Sequence, residues 1–372
     1  MGNKLALTVG GVHKVGKKAY LTVSGKHRKV KKGYLTVGGI HKKCFGGELA
    51  YYGTATALSL PRYTLAATSV GNYALFGGGQ ATTDVFYGTV DAYNTSLSRS
   101  SPTSLSPARK SLAAATVGNY ALFGGGSTDS PSRTSVVEAY DSSLTKSTPS
   151  GLIYSVTGLA AVTVGNYALF GGGVYYTDHV AAVNAYDTSL VCTNPTSLSQ
   201  RRGDMATATV GKYALFGGGQ YSLETVSNVD AYDTSLTRTT PTSLSETKKG
   251  MAGATAGNYA LFGGGTPSTE PLSTVEAYNT SLTRTTITGL SAARSYLSAT
   301  SIDEYALFGG GMHWNVGKLD TVDAYDGSLT RTVMTKLSQK RTYLAATTVG
   351  SYALFGGGQD SAALGTVDAY VY

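Results

Sequence analysis

The five histidines are the first residues with chemistry to offer, and their spacing divides them. His13, His27 and His41 share one position of a 14-residue period. Such a column could line up as metal ligands, or could be turn-flanking polar residues. His179 and His313 stand alone. The two cysteines, Cys44 and Cys192, lie far apart, and neither has a Cys or His neighbour at metal-site spacing. Apart from that histidine column, no metal site is expected, and no cofactor. Acids recur singly: Asp91, Glu138, Asp230, Glu276, Asp323 and Asp368 each precede Ala-Tyr. Basic residues follow in the next strand-like piece, at Arg99, Lys146, Arg238, Arg284 and Arg331. Charge pairing across neighbouring strands accounts for both sets without a ligand role. No paired carboxylates and no Ser/His/Asp order occur, so the chain is read as non-enzymatic.

What positions these residues is a long repeat. Tyr-Ala-Leu-Phe-Gly-Gly-Gly begins at Tyr73, Tyr120, Tyr167, Tyr213, Tyr259, Tyr305 and Tyr352, in steps of 46 or 47 residues. A period this long and regular indicates propeller blades or another repeat array. Charged residues are scarce at 14%, against about 25% in an ordinary domain, while 48 glycines suit many short strands and tight turns. The second period divides into four strand-like pieces, Ser111–Val117, Tyr120–Gly125, Ser135–Tyr140 and Leu144–Ser150. Gly118-Asn119 joins the first two as a two-residue hairpin turn. Four antiparallel strands per unit make a blade. The expected fold is all-β, a seven-bladed propeller over 48–372. The chain ends after its seventh third-strand, and Thr56-Ala57-Leu58-Ser59 aligns with Thr103-Ser104-Leu105-Ser106. The N-terminal strand Tyr51–Ser59 is therefore expected to complete the C-terminal blade, removing a free edge.

Residues 1–47 differ in kind. They hold eleven of the 30 Lys and Arg and no acid, whereas the rest of the chain carries 19 basic and all 22 acidic residues. Leu7–Lys14 recurs as Leu21–Arg28 and Leu35–Lys42, each reading as strand, Gly turn, strand. A small basic β-meander follows from this, with Lys14, Arg28, Lys29 and Lys42 as candidate anchor residues. Three roles fit the charge: keeping hairpin edges soluble, docking on an acidic protein surface, or contacting nucleic acid. The last lacks aromatic interleaving or a known nucleic-acid fold, so nucleic acid is not an expected partner. No apolar run approaches the roughly 18 residues of a membrane helix, so no membrane insertion is expected. Met1–Gly11 lacks the apolar centre of a secretion signal.

The long repeat resembles the Kelch family over roughly residues 50–372. The shared features are an apolar strand ending in a Gly pair, then a Tyr such as Tyr93, Tyr140 or Tyr186, then a basic residue such as Arg62, Arg109 or Arg294 opening the next inner strand. The outer-strand Trp usual in that family is missing. Blade 3 has Ile153-Tyr154-Ser155 where the basic residue is expected. Some Kelch-like propellers resemble galactose oxidase, whose copper site needs two His, two Tyr and a Cys coupled to Tyr. The placement of Cys192 in an outer strand does not suit it. Sialidase-type Asp boxes are also missing. The N-terminal hairpin array looks like segments of structural proteins in phages of Gram-positive gut bacteria. That resemblance implies anchoring to a larger particle, and a virion location after assembly in the host cytoplasm.

Comparing the repeats with one another locates the expected binding surface. The turns between strands one and two, and between strands three and four, are nearly alike in every period. The connections between strands two and three, and from strand four to the next blade, differ throughout. In an antiparallel blade these variable connections emerge on one face. They carry Phe86, Tyr87, Tyr175, Tyr176, His179, Tyr221, His313 and Trp314. Aromatic residues give large contact area at small entropic cost. These are the candidate ligand-binding residues. The expected partners are a host surface glycan or protein through this rim, and particle proteins through residues 1–47. A homo-oligomer within the particle is compatible with this. The alternative is a cellular Kelch-type interaction module, either surface adhesin or adaptor, with a carbohydrate-active enzyme as the least favoured reading.

Overall fold

The computed structural model describes residues 20–23, 26–29, 33–37, 40–45, 48–82, 85–129 and 133–372. The chain divides into two compact units, Met1–Ala50 with Tyr372, and Tyr51–Val371. In the first, Tyr20–Val23 pairs with Lys26–Lys29, and Gly33–Val37 with Ile40–Phe45. Each pair is a two-stranded antiparallel sheet. The expected anchor residues Arg28, Lys29 and Lys42 lie on these strands, whereas Lys14 lies outside the described residues.

The second unit is a seven-bladed β-propeller, with seven four-stranded antiparallel sheets. In blade 2 the strands are Ala113–Val117, Tyr120–Gly124, Val137–Asp141 and Lys146–Ser147. The outer strand is thus much shorter than the sequence pattern suggested. First strands of adjacent blades pack together all the way round, and Ala345–Val349 of blade 7 meets Ala66–Val70 of blade 1. The first strand alternates, with Ala113, Ala115 and Val117 buried. Its other face looks toward the axis and carries small hydroxyl residues. Thr116 Oγ1 donates to the Ser69 carbonyl at 2.5 Å, and Thr163 Oγ1 to the Thr116 carbonyl at 2.5 Å. Thr at these positions therefore links one inner strand to the one before.

Blade-to-blade packing explains the repeated Phe-Gly. A Cβ on Gly77 would lie 2.7 Å from the ring of Phe123 in the next blade, and one on Gly356 would lie 2.7 Å from Phe76. The first Gly of every run accepts the neighbouring Phe in this way. Each Phe is fully buried, which contributes roughly 1.5–3 kcal/mol per ring. Each third-strand Tyr meets the Phe of its own blade edge to face, as Phe123 and Tyr140 do at 6.0 Å. Its hydroxyl then donates to a carbonyl that leads out of the preceding blade, as Tyr140 does to Thr103 at 2.6 Å.

The ring closes as the sequence predicts. Ala50–Ala55 is the outermost strand of blade 7, beside Val367–Val371. Tyr51 Oη donates to Asp368 at 2.7 Å. Tyr93 of blade 1 donates to the Thr56 carbonyl at 2.7 Å.

The recurrent acids are deeper than expected. Asp91 is fully buried, paired with buried Arg62 at 2.8 Å and with half-buried Arg99 at 2.9 Å. The Ser59 amide also donates to it. The carboxylate thus fastens the connection from blade 7 onto blade 1. The arrangement repeats with Arg109–Glu138, Arg202–Asp230, Lys248–Glu276, Arg294–Asp323 and Arg341–Asp368. Pairing with the outer-strand cation does occur, but the fully buried inner cation is the partner that recurs. A buried acid of this kind needs compensation from every side.

Candidate binding face and axial cavity

Alternation of strand direction puts the connections from strand two to three, and from strand four to the next blade, on one face. On the opposite face the turns are uniform. The Asn94 side chain accepts the amides of Ser96 and Ser98, as Asp141 does those of Ser143 and Thr145. Leu97 and Leu144 adopt φ of +60° and +64° at the same turn position.

On the variable face four connections rise as short hairpins: Gln80–Thr82 with Val85–Phe86, Val174–Tyr175 with Asp178–His179, Gln220–Tyr221 with Glu224–Thr225, and Met312–His313 with Gly317–Lys318. They place the expected site residues unequally. Tyr175 and Tyr176 meet at 4.5 Å, and Tyr154, from the preceding connection, reaches Tyr175 at 5.3 Å. Tyr176 is 67% exposed, and Ile153, next to Tyr154 in the chain, is 54% exposed. The three tyrosine rings form one continuous aromatic cluster on blade 3. Tyr154 is not among the residues expected from sequence, because there it reads as a departure from the repeat rather than as surface.

His179 is buried, not presented at the rim. Its Nδ1 accepts the Ser222 amide at 3.3 Å, and its ring packs on Tyr221 at 5.9 Å. It props one hairpin against the next, and burial lowers its pKa against the pull of Asp204 and Asp178. The Arg201 guanidinium lies over Tyr221 at 5.5 Å and pairs with Asp178 at 2.6 Å. Phe86 and Tyr87 sit on blade 1, half-buried, with the Lys110 ammonium 4.6 Å over the Phe86 ring. Trp314 is 46% exposed at the tip of the blade 6 hairpin. His313 beneath it faces Glu270 at 3.6 Å. Among the described residues no hydrogen bond, ion pair or ring contact joins the blade 1, blade 3 and blade 6 groups, so they are separate points on one face. No cluster of three or more His, Cys, Asp or Glu suited to a metal occurs among the described residues.

The axis on this same face holds a feature that the sequence reading missed. The residue just before each inner strand's Leu or Met is Thr64, Ser111, Gly158, Asp204, Gly250, Tyr296 or Tyr343. All seven have positive φ, between +51° and +62°. Their backbones form a belt around the axis. The amide of Ser111 donates to the Thr64 carbonyl, Gly158 to Ser111, Asp204 to Gly158, Tyr296 to Gly250, Tyr343 to Tyr296 and Thr64 to Tyr343. The belt surrounds an open cavity of 280 Å³. Around it the repeat is nearly invariant, yet the belt residues differ in size and charge. That scatter at one position was the available signal.

Electrostatically the cavity is dominated by Asp204. Its side chain reaches the cavity's solvent but is ringed by protein, and this enclosure pushes its carboxyl pKa up, with Lys249 and His179 opposing. Burial and the neighbouring Tyr296 and Asp204 push Tyr343 up to about 12. Burial and Asp204 also raise Tyr296.

The chain matches no family model and no curated protein. Among solved structures, the structure of YjhT is similar to it, with a TM-score of 0.61 at 11% identity, over 76% of this chain and 99% of that one. At that identity the likeness concerns the fold.

Proposed function

We propose that this chain is a non-catalytic binding protein of a phage virion or tail, and that its variable face recognises a host surface glycan or protein. The observation that carries this is the contrast between the faces. One face repeats the same capped turn, while the other changes length, charge and aromatic content from blade to blade. Packing demands are alike in all blades, so structural need alone would hold both faces constant. Surface loops on a rigid scaffold are where recognition residues concentrate. The exposed residues Ile153, Tyr154, Tyr175 and Tyr176 and the tip residue Trp314 supply the large amphipathic side chains that anchor interfaces. The basic N-terminal sequence, whose described strands pair as two short hairpins within residues 20–45, resembles segments of phage structural proteins and supports attachment to a particle, while the likeness to Kelch repeats supports a binding role. Cosedimentation of the chain with purified phage particles tests the reading. Enrichment in the particle band is the expected outcome, and its presence only in the unassembled soluble fraction refutes the virion role.

A further inference from the structure

We propose that the axial cavity binds a small primary ammonium compound, with the Asp204 carboxylate as counter-ion and Tyr296 and Tyr343 as its aromatic wall. This does not rest on reading the rim as an attachment face, because the cavity and rim groups share no residue.

Three observations carry it. First, the Asp204 carboxylate makes no hydrogen bond or ion pair among the described residues, unlike the recurrent blade carboxylates, which are buried and paired. The basic groups that influence it have polar partners of their own. Lys249 Nζ donates to Gln220, and His179 accepts from Ser222. Second, the belt leaves room beside the carboxylate. Asp204 lies between Gly158 and Gly250, which put no side chain into the cavity. A Cβ on Gly158 would lie 2.9 Å from Asp204 Oδ1, and one on Gly250 would lie 3.0 Å from the Tyr296 ring. The carboxylate and the ring are therefore each folded over a glycine. Third, Tyr343 packs at a tilt against Tyr296 with centroids 4.8 Å apart, and Tyr63 continues the arc 6.4 Å from Tyr343. Both belt tyrosines feel the Asp204 charge.

A cavity with one unpartnered carboxylate and an aromatic wall complements a cation. The carboxylate accepts the ammonium N–H bonds and the ring faces attract the charge. A neutral sugar would leave the charge uncompensated. The cavity of 280 Å³ suits a ligand of a few heavy atoms, given that a water occupies about 30 Å³ of liquid.

The test is calorimetric titration of the full chain with n-butylammonium at constant ionic strength. n-Butanol serves as the neutral isostere and glucose as the sugar probe. Saturable one-to-one binding of the amine is expected, with no matching heat from butanol or glucose. Asp204→Asn should weaken amine binding about 10- to 100-fold, the share of a charge-assisted bond. Asn tolerates positive φ, so the belt keeps its geometry. Tyr343→Leu, which keeps the charge and removes the ring, should weaken it less, and Trp314→Ala not at all. Unchanged affinity in Asp204→Asn, equal binding of butanol or glucose, or no amine binding overturns the proposal. A chain that binds the amine but does not cosediment with particles refutes the virion reading alone.

Discussion

Val156 and Asn184 together occupy the positions that hold a buried cation and a buried carboxylate in every other blade. Val156 takes the place of Arg109, since its carbonyl accepts the Gly126 amide at 2.8 Å as that of Arg109 accepts Gly79 at 2.9 Å. Asn184 replaces the acid and accepts the Ile153 amide at 3.0 Å. Cys192 stands where other blades place the outer cation, paired opposite Tyr186. Loss of one charge has been accompanied by loss of the other, as the cost of an unpaired buried ion requires.

A double-mutant cycle follows. Asn184→Asp alone should destabilise the chain by about 3 kcal/mol or more, since it buries a carboxylate without an inner cation. Val156→Arg alone should cost a similar amount. The double variant should recover much of the loss, giving a coupling of about 1–3 kcal/mol. Urea unfolding checks this, and additive losses would show that the two sites are independent.

The Gly runs separate two sources of strain. Gly78 has φ of +70°, and a Cβ there would lie 2.6 Å from the Arg109 carbonyl and 2.9 Å from Leu112. Gly317 has φ of +92° with nothing within 4 Å of its would-be Cβ. Gly317→Ala should cost about 1 kcal/mol through its torsion alone. Gly78→Ala should cost about 2 kcal/mol more because backbone must also move. Equal losses in chemical denaturation would show that crowding adds nothing.

Ring closure gives a truncation test. Removing residues 1–60 deletes the outer strand Ala50–Ala55, the Thr56 carbonyl that holds Tyr93, and the Ser59 contacts to Asp91. It also leaves Val367–Val371 as an open edge. That variant should melt well below the full chain, whereas removing residues 1–46 should leave the melting temperature of the propeller unchanged. Equal melting of the two truncations would contradict closure by this strand.

The repeated elements were legible in the sequence because seven copies report the same packing constraint. Blade number, the closing strand and the face that varies all follow from comparing copies. Features carried by one copy were not legible. The sequence places the missing cation of blade 3 at Ile153–Ser155 because the connection before it gives no fixed register, whereas the structural equivalent is Val156. His179 reads as an exposed loop residue, yet the adjoining hairpin covers it. The belt is not legible because its role is defined by backbone: seven residues share one left-handed conformation while their side chains have nothing in common.

Asp204 predicts a pH signature. Its folded pKa is raised, so the folded state holds its proton more tightly than the unfolded chain, whose value is about 3.9. Stability from this group is present below the unfolded value and is lost as pH rises through the folded one. At neutral pH the ionised carboxylate is therefore a burden. His179, Lys249, Tyr296 and Tyr343 face it, so the useful quantity is the difference between Asp204→Asn and the parent. Asp204→Asn should melt higher than the parent at pH 7, and the gap should shrink as pH falls toward 4. A gap independent of pH would mean that the carboxylate is not destabilised by its enclosure.

The rim patch yields the sharpest functional test. Tyr176 projects with 67% of its surface exposed and meets Tyr175 edge to face, and Tyr154 supports Tyr175 from the neighbouring connection. Removing an exposed ring from this cluster disturbs no buried group, so Tyr176→Ala should leave stability within about 0.5 kcal/mol of the parent. Central aromatic anchors typically contribute about 2 kcal/mol or more to an interface. Tyr175→Ala with Tyr176→Ala should therefore reduce attachment to host cells about 30-fold or more. Trp314→Ala acts on blade 6, a separate point, so its loss should add to theirs if one large partner spans the face. Alanine at Asn119 and Asn166, in the uniform turns of the opposite face, should leave attachment unchanged. Loss of attachment in those two variants, with retention in the tyrosine variants, would place recognition on the other side of the ring.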